Sequence, residues 1–179
     1  MEGLLEFAVV PAGPADAAGL GRVHVKSWRE AYPGLLPQSY LNAMRPELHA
    51  RRFYKELIRP KPGDVVLLAE GADGPVGYCA GALLKADDRL AGSEVFTLYV
   101  LRHAQRAGVG RALLRGAARV FRAQRAHSAV IWVLSRNLKA RRFYEYLGGV
   151  AVAERPVRGW GGGLYETAYL WSDIGRLTG

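Results

Sequence analysis

The sequence is poor in cysteine and contains no long apolar segment, and both scarcities restrict the class of protein. Cys79 is the only cysteine among the 179 residues, so an internal disulfide is excluded and a reducing compartment is the simpler interpretation. No apolar run approaches the roughly 18 residues of a membrane helix. Glu2 stands where a signal peptide would carry positive charge. We therefore expect a soluble, cytoplasmic protein with no membrane partner.

Metal-ligating residues and low-complexity segments are also scarce. The four histidines, at positions 24, 49, 103 and 127, have no metal-like spacing, so we expect no bound metal. Hydrophobic residues make up 50% of the chain, which is enough apolar surface to offset the chain entropy lost on folding. Since a domain has about 150 residues, the length predicts one domain over residues 1–179.

Acidic residues are scarce in the second half of the chain. Residues 101–179 carry 14 Lys and Arg against 4 Asp and Glu, whereas residues 1–100 carry 11 against 12. The densest basic stretch contains no acidic residue and holds Arg102, Arg106, Arg111, Arg115, Arg119, Arg122 and Arg125. Such a block suggests nucleic acid, an acidic membrane surface or a small polyanionic ligand as partner. For Arg115, Arg119 and Arg122, a solvent-exposed helix face is the ordinary structural alternative.

Hydrophobic periodicity and turn residues predict strands and helices in a mixed order. The predicted strands are 4–10, 64–70, 75–84, 93–100, 128–134, 150–154 and 164–171. The predicted helices are 17–28, 38–44, 46–58, 108–124 and 137–147. Asp16 is a candidate cap for the first helix. This order indicates a mixed α/β protein with one sheet that is covered by helices on both faces.

Glycines occupy the junction between the fourth predicted strand and the helix that follows it. The junction reads QRAGVGR, from Gln105 to Arg111. Glycine permits a tight turn and a close approach of the backbone to a ligand, and the start of a helix adds unpaired N–H groups and partial positive charge. We therefore predict a phosphate-binding loop. It lacks both the GK[ST] ending of a P-loop and the third glycine of a dinucleotide fold.

Three segments in this order resemble the GNAT superfamily of acyl-coenzyme-A-dependent N-acyltransferases. Gln105, Gly108 and Gly110 match its motif A, [RQ]-x-x-G-x-[GA]. Residues 137–148, NLKARRFYEYLG, are similar to the downstream N-x-x-A-x-x-F-Y-x-x-x-G helix, and residues 27–37 resemble the loop between the first two helices. The resemblance implies a single, largely antiparallel sheet of about seven strands, splayed between the fourth and fifth, with helices on both faces.

The same resemblance implies acetyl-CoA as cosubstrate and assigns residues to it. The cofactor-binding residues carried over by position are Leu98, Tyr99 and Val100 on the strand, Gln105, Arg106, Ala107, Gly108, Val109, Gly110 and Arg111 in the loop, and Asn137, Ala140 and Phe143 on the downstream helix. Asn137 is also a good helix N-cap residue, so a purely structural role stays open for it.

The resemblance further implies direct transfer of the acetyl group to a primary amine in a ternary complex. Tyr144 matches the position that protonates the leaving thiolate, and Glu94 is the candidate base, directly or through water. A backbone amide at Leu98 or a neighbour would polarise the carbonyl. The structural alternatives are a core aromatic for Tyr144 and a solvated strand residue for Glu94. Cys79 lies in an apolar run and is interpreted as a buried small hydrophobe rather than a nucleophile.

The acceptor amine is left open by the sequence. Trp28, Tyr32, Trp160 and Tyr165 lie on segments that line the acceptor groove in the family, although each could equally serve in packing. The ribosomal-protein amino-terminal branch has a glutamate five residues before the asparagine, and Trp132 stands there instead, so that substrate is not favoured. A protein amino terminus, a lysine, a polyamine, an aminoglycoside and a small metabolite all remain. The family also implies a homodimer.

Two other functions compete with acetyl transfer. A nucleic-acid-binding module would explain the charge, but the arginine stripe carries no recognised reading motif and no interleaved aromatics, so nucleic acid is not the expected partner. A non-catalytic acyl-CoA-binding regulatory protein could share the fold. Coenzyme A carries a pyrophosphate and a 3′-phosphate, which would give Arg106 and Arg111 a partner and leave the stripe from Arg115 unexplained.

Overall fold

The computed structural model of the chain describes residues 5–85, 90–159 and 163–178. Its strands are β1 (Phe7–Pro11), β2 (Val65–Gly71), β3 (Gly74–Leu83), β4 (Ser93–Val100), β5 (Ala129–Leu134), β6 (Val150–Pro156) and β7 (Tyr165–Trp171). Its helices are α1 (Ala17–Ala31), α2 (Gln38–Ala43), α3 (Pro46–Ile58), α4 (Val109–Ala123), α5 (Leu138–Tyr146) and α6 (Gly175–Thr178). Short 3₁₀ turns at Pro14–Asp16 and Arg102–Ala104 lead into α1 and into the loop before α4.

The seven strands form one sheet in the order β1-β2-β3-β4-β5-β7-β6. Every neighbouring pair is antiparallel except β4 and β5, which run parallel. The predicted mixed, largely antiparallel sheet is therefore confirmed.

The parallel pair separates soon after it begins. Only Ser93–Val95 of β4 pair with Ala129–Ile131 of β5, although β4 continues to Val100 and β5 to Leu134. On the other side, the β3–β4 register changes from Gly81↔Val95 to Ala80↔Thr97, which leaves Phe96 as an extra residue in β4. Such a bulge bends a strand and increases its twist. The splay between the fourth and fifth strands is confirmed, and it begins at this bulge.

Helices cover the sheet on both faces because strand residues alternate between them. On β2, Leu67 and Ala69 pack in the cluster that contains α4, whereas Leu68 packs in the cluster that contains α1 and α3. The predicted apolar face of α4 is buried, and it consists of Leu113, Leu114, Ala117 and Phe121. Arg119 and Arg122 lie exposed on the opposite side, as expected of a solvated helix face.

The structure differs from the prediction at several places in the described residues, among them β6, which continues to Pro156, two residues beyond the predicted end. Helix α1 continues to Ala31, three residues beyond the predicted end, because the Tyr32 amide still donates to the Trp28 carbonyl at 3.0 Å. The Asp16 side chain does not cap α1, since it accepts a bond of 2.7 Å from the amide of Gly13. Helix α6 is too short to show a periodic pattern in the sequence.

One glycine in β3 permits the close contact between the sheet and α4. A Cβ atom on Gly81 would lie 2.3 Å from the Glu94 carbonyl oxygen and 3.0 Å from the Phe121 ring. We expect Gly81→Ala to lower the free energy of unfolding by about 1–3 kcal/mol, since overpacking a well-packed core costs this much. Chemical denaturation measures the difference.

Gly92→Ala is the matched control for this experiment. The atom nearest to a Cβ added at Gly92 would lie 3.5 Å away, which is an ordinary van der Waals contact. We expect the control to stay within about 0.5 kcal/mol of the parent, because the added methyl group creates neither a clash nor a cavity. Equal stabilities for the two alanine variants would contradict the packing argument.

Candidate functional site

A cavity of about 430 Å³ opens where β4 and β5 separate. Its wall is built from α1, from β4 beyond the bulge, from β5, from the loop before α4 and from the first turns of α5. Predicted site residues on this wall are Trp28, Tyr32, Leu98, Tyr99, Val100, Gln105, Arg106, Gly110, Asn137, Ala140, Phe143 and Tyr144. The structure thus brings together most of the residues that the sequence singled out.

The gap exposes backbone groups of β4 to the cavity. The Leu101 amide donates to the Val76 carbonyl at 2.9 Å, so Leu101 faces β3. Because alternate residues of an antiparallel pair point their backbone groups at the partner, Tyr99 faces β3 as well, while Leu98 and Val100 face the gap. Among the described residues of β5, none pairs with these two. The backbone of β4 therefore offers hydrogen bonds to an extended ligand lying in the gap.

The loop before α4 has the geometry of an anion site. Arg106 and Gly108 both adopt left-handed conformations, with φ of 67° and 84°. The first helical hydrogen bond runs from the Ala112 amide to the Gly108 carbonyl at 2.9 Å. The amides of Val109, Gly110 and Arg111 consequently have no acceptor within the helix. Free amides at a helix start, with the helix dipole behind them, bind phosphate.

Polar side chains tie this loop to β4 and to α5. The Gln105 side-chain nitrogen Nε2 donates to the Val100 backbone carbonyl at 2.9 Å, and Lys139 Nζ donates to the Gln105 side-chain oxygen Oε1. A Cβ atom on Gly110 would lie 3.2 Å from the Phe143 ring, so the glycine lets α5 pack against the start of α4. Since Arg106 and Lys139 both line the cavity, its loop side is positively charged.

Asn137 caps α5, as the structural alternative predicted. Its side-chain oxygen accepts from the Ala140 amide at 3.2 Å. The side chain also lies on the cavity wall. Its amide nitrogen is a donor that this cap does not use, so capping is compatible with binding a ligand.

Tyr144 is both a core aromatic and a cavity residue. Its ring packs edge-on against Trp171 at 6.0 Å and tilted against Tyr169 at 5.8 Å. The residue is buried, with 5% of its surface exposed, and it lines the cavity. Burial raises the pKa of its hydroxyl well above the ordinary value, so the group keeps its proton at neutral pH. A protonated hydroxyl can donate a hydrogen bond to a developing anion, while the raised pKa makes it a weaker acid.

Glu94 lies outside the cavity. It belongs to the paired part of β4, opposite Ala82 on β3 and Val130 on β5, and it is not among the described lining residues. The sequence could not show this, because the bulge at Phe96 shifts the alternation of the following residues. The role of Glu94 as base stays a prediction.

The lining on the α1 face of the sheet includes residues that the sequence did not single out as ligands. Glu166 on β7 and Trp132 on β5 both lie there, as do Ser27 and Phe96. Only the order of β5, β7 and β6 brings Glu166 to the gap, and no local pattern encodes that order. Of the other predicted acceptor residues, Tyr165 is half exposed and does not line the cavity, and Trp160 lies outside the described residues.

No metal centre or membrane-spanning element accompanies this cavity in the described part of the chain. There, no three His, Cys, Asp or Glu side chains are grouped so that they could hold a metal ion. Likewise, none of the helices described is long and apolar enough to cross a bilayer.

The chain is similar in sequence to an acetyltransferase family and to proteins named as N-acetyltransferases. The family model described as the acetyltransferase (GNAT) family matches residues 25–148. An uncharacterized N-acetyltransferase of Bacillus subtilis is 27% identical over 90% of this chain and 91% of its own length. A probable N-acetyltransferase of Mycobacterium tuberculosis is also 27% identical, over 83% of this chain and 84% of its own.

Solved structures share the fold. The PaiA N-acetyltransferase of Thermoplasma acidophilum, in complex with coenzyme A, has a TM-score of 0.76 at 16% identity and covers 93% of this chain and 98% of its own. The putative acetyltransferase yncA of Salmonella typhimurium, with acetyl-CoA, has a TM-score of 0.67 at 20% identity and covers 94% of each chain. At such identities the likeness shows the fold alone.

Cys79 is a buried thiol, which confirms its interpretation as a small hydrophobe. Burial raises its pKa to about 12, so thiolate is scarce at pH 8. We expect a thiol reagent to label the native protein at least about 10³-fold more slowly than the unfolded chain, because only the thiolate reacts. Labelling at pH 8 with and without guanidinium measures the ratio. Similar rates in both states would show that Cys79 is accessible and acidic.

Proposed function

The chain belongs to the GNAT acetyltransferase family, and we propose that it transfers the acetyl group of acetyl-CoA to a primary amine by direct attack. One observation carries the proposal: the gap between β4 and β5 connects the phosphate-type loop to the buried Tyr144 hydroxyl within a single cavity. Coenzyme A needs such a combination, because its phosphates and its reactive sulfur lie at opposite ends of an extended arm.

The chain's own groups would hold acetyl-CoA along this path. The gap-facing backbone of Leu98 and Val100 would bond the pantetheine arm, with Asn137 beside it. The amides of the loop and of the first turn of α4 would bind the pyrophosphate, and Arg106, Arg111 and Lys139 would add positive charge. Ala140 and Phe143 would complete the apolar wall on the α5 side.

The reaction requires a neutral amine and acceptors for the two protons that its nitrogen loses during the transfer. A lysine-like amine with a pKa near 10.4 is neutral about once in 2,500 molecules at pH 7, a deficit of roughly 4.6 kcal/mol. Loss of a first proton from the ammonium frees the lone pair, which forms the N–C bond while the C–S bond breaks. The nitrogen then loses its second proton, which returns through water to the Tyr144 oxygen once that group has protonated the thiolate. The Tyr144 hydroxyl gives its proton to the departing thiolate, and the Leu98 amide polarises the carbonyl. Because Glu94 is off the cavity wall, it would take the amine proton only through water.

Tyr144→Phe tests the acid. We expect kcat to fall by about 10²-fold, the lower end of what a positioned general acid contributes, with little change in the KM for acetyl-CoA. Thiol release measures both quantities. Tyr146→Phe is the matched control, since Tyr146 lies on the same helix with 76% of its surface exposed. Equal kcat for the two variants would remove Tyr144 from the mechanism.

Arg111→Ala tests the phosphate loop. Arg111 lies exposed in the first turn of α4, and Arg119, exposed on the same helix two turns away, serves as control. We expect the alanine variant at Arg111 to bind coenzyme A about five- to tenfold more weakly, which corresponds to on the order of 1 kcal/mol for a contact with a charged group. Calorimetry measures the affinity. If the parent protein binds neither coenzyme A nor acetyl-CoA at high micromolar concentration, the proposed function fails.

A further inference from the structure

The two faces of the cavity differ in charge. Arg106 and Lys139 lie on the loop side, whereas the lining on the α1 face contains neither lysine nor arginine among the described residues. Glu166 is the one carboxylate among the described lining residues. Strand alternation places it on the α1 face, since it lies two residues from Leu164, which packs against the cluster that contains Val25 of α1. We call this lining the acceptor face: Ser27, Trp28, Tyr32, Leu134, Trp132 and Glu166.

Neighbouring strands and one arginine fix the Glu166 carboxylate. Glu166 is paired with Leu134 on β5 and with Arg155 on β6. Arg155 Nε donates to Glu166 Oε1 at 2.6 Å, and its guanidinium lies 3.8 Å from the centroid of the Trp132 ring. The Glu166 side chain is 21% exposed and that of Arg155 53% exposed, so the carboxylate is the more enclosed partner.

This arrangement leaves Glu166 able to accept a further hydrogen bond. An ionised carboxylate has about four lone-pair sites on two oxygens, and the bond from Arg155 Nε occupies one site on Oε1. The oxygen Oε2 can therefore take an N–H from an ammonium group. The Arg155 guanidinium already interacts with both the Glu166 carboxylate and the Trp132 ring. The negative charge that is left at this site therefore suits one additional cation rather than several.

Aromatic rings form most of the rest of the acceptor face. Trp28 and Tyr32 pack edge to face at 4.9 Å, and the Tyr32 hydroxyl lies 3.2 Å from the Tyr99 hydroxyl. Trp132 stands on the other side of the gap, under the Arg155 guanidinium. Such walls bury apolar groups well. Ser27 Oγ and Trp28 Nε1 are buried on this face without a hydrogen-bond partner among the described residues and could meet a polar group, whereas a second ammonium would lose hydration without a second carboxylate to compensate.

We propose that the acceptor is a primary monoamine with an uncharged, apolar body, whose ammonium group is bound by Glu166 on the acceptor face. This inference rests on the proposed acetyl transfer and narrows its substrate class. Polyamines and aminoglycosides carry several cations, for which this face provides a single carboxylate already bonded to Arg155. Glu166 acts in binding, and the bonds formed and broken remain those of the transfer described above.

A comparison of three amines tests the substrate class on the unmodified protein. Thiol release from acetyl-CoA is measured with phenethylamine as the apolar monoamine, spermidine as the polyamine and kanamycin as the aminoglycoside. We expect kcat/KM for phenethylamine to exceed the other two by at least about tenfold, which corresponds to one well-placed contact of about 1.4 kcal/mol. A preference for spermidine or kanamycin would overturn the inference and leave acetyl transfer intact.

Glu166→Gln tests the residue. We expect the KM for phenethylamine to rise about tenfold, the value of a hydrogen bond to a charged group, while the KM for acetyl-CoA stays unchanged. Glu154→Gln is the matched control, because Glu154 lies on the adjacent strand, is exposed and bonds Ser135 instead. An unchanged KM for phenethylamine would exclude Glu166 as the amine-binding group.

Two measurements separate the ways in which the idea can fail. Calorimetry with acetyl-CoA on the Glu166→Gln protein shows whether it is folded, and an affinity equal to that of the parent makes the kinetic comparison valid. If that variant fails to fold, the amine preference of the unmodified protein decides the substrate class alone. If no amine of any class releases thiol although acetyl-CoA binds, both the inference and the proposed function are overturned.

Discussion

The short pairing between β4 and β5 is the constraint on which the rest of the molecule depends. Three residues of each strand pair, and the strands then separate while both continue. Unpaired backbone groups in a protein interior cost about 1–3 kcal/mol each, so such a gap is tolerated only where something else meets them. Here the Gln105 side chain meets the Val100 carbonyl. The remaining gap-facing groups of Leu98 and Val100 line the cavity, so they are available to the ligand that we propose to bind there.

The basic residues in the second half of the chain make more than one kind of contact. The excess of basic residues after position 100 suggested a polyanion, but the structure assigns the arginines to different tasks. Arg106 lies on the cavity wall, beside the loop. Arg122, farther along α4, donates to the Thr178 hydroxyl at 2.7 Å and so ties α6 to the helix. One arginine of the stripe that the sequence left unexplained therefore contacts α6.

The sequence predicted local structure well because local rules govern it. Pro46 and the glycines around the loop set helix boundaries, and α3 and β4 have the predicted bounds. Non-local pairing is different, since nothing near Glu166 in the chain indicates that β7 lies between β5 and β6. The position of Glu94 outside the cavity could not be predicted from the neighbouring residues for a similar reason. An extra residue at Phe96 leaves Glu94 in the paired segment and turns the following residues toward the cavity.

The buried polar groups beneath the cavity carry no charge, so they do not compete with the Glu166 carboxylate on the acceptor face. The Tyr78 hydroxyl and His24 Nδ1 are hydrogen-bonded at 2.7 Å between β3 and α1. Burial, helped by His49 and Arg52, lowers the pKa of His24 to about 3, so the imidazole is neutral at physiological pH. Burial also raises the pKa of Tyr99, which keeps its hydroxyl protonated. Since these groups are uncharged, they neither repel an ammonium nor compete for it. Among the described residues that line the cavity on this face, the charge that a cation meets is therefore that of Glu166, moderated by Arg155.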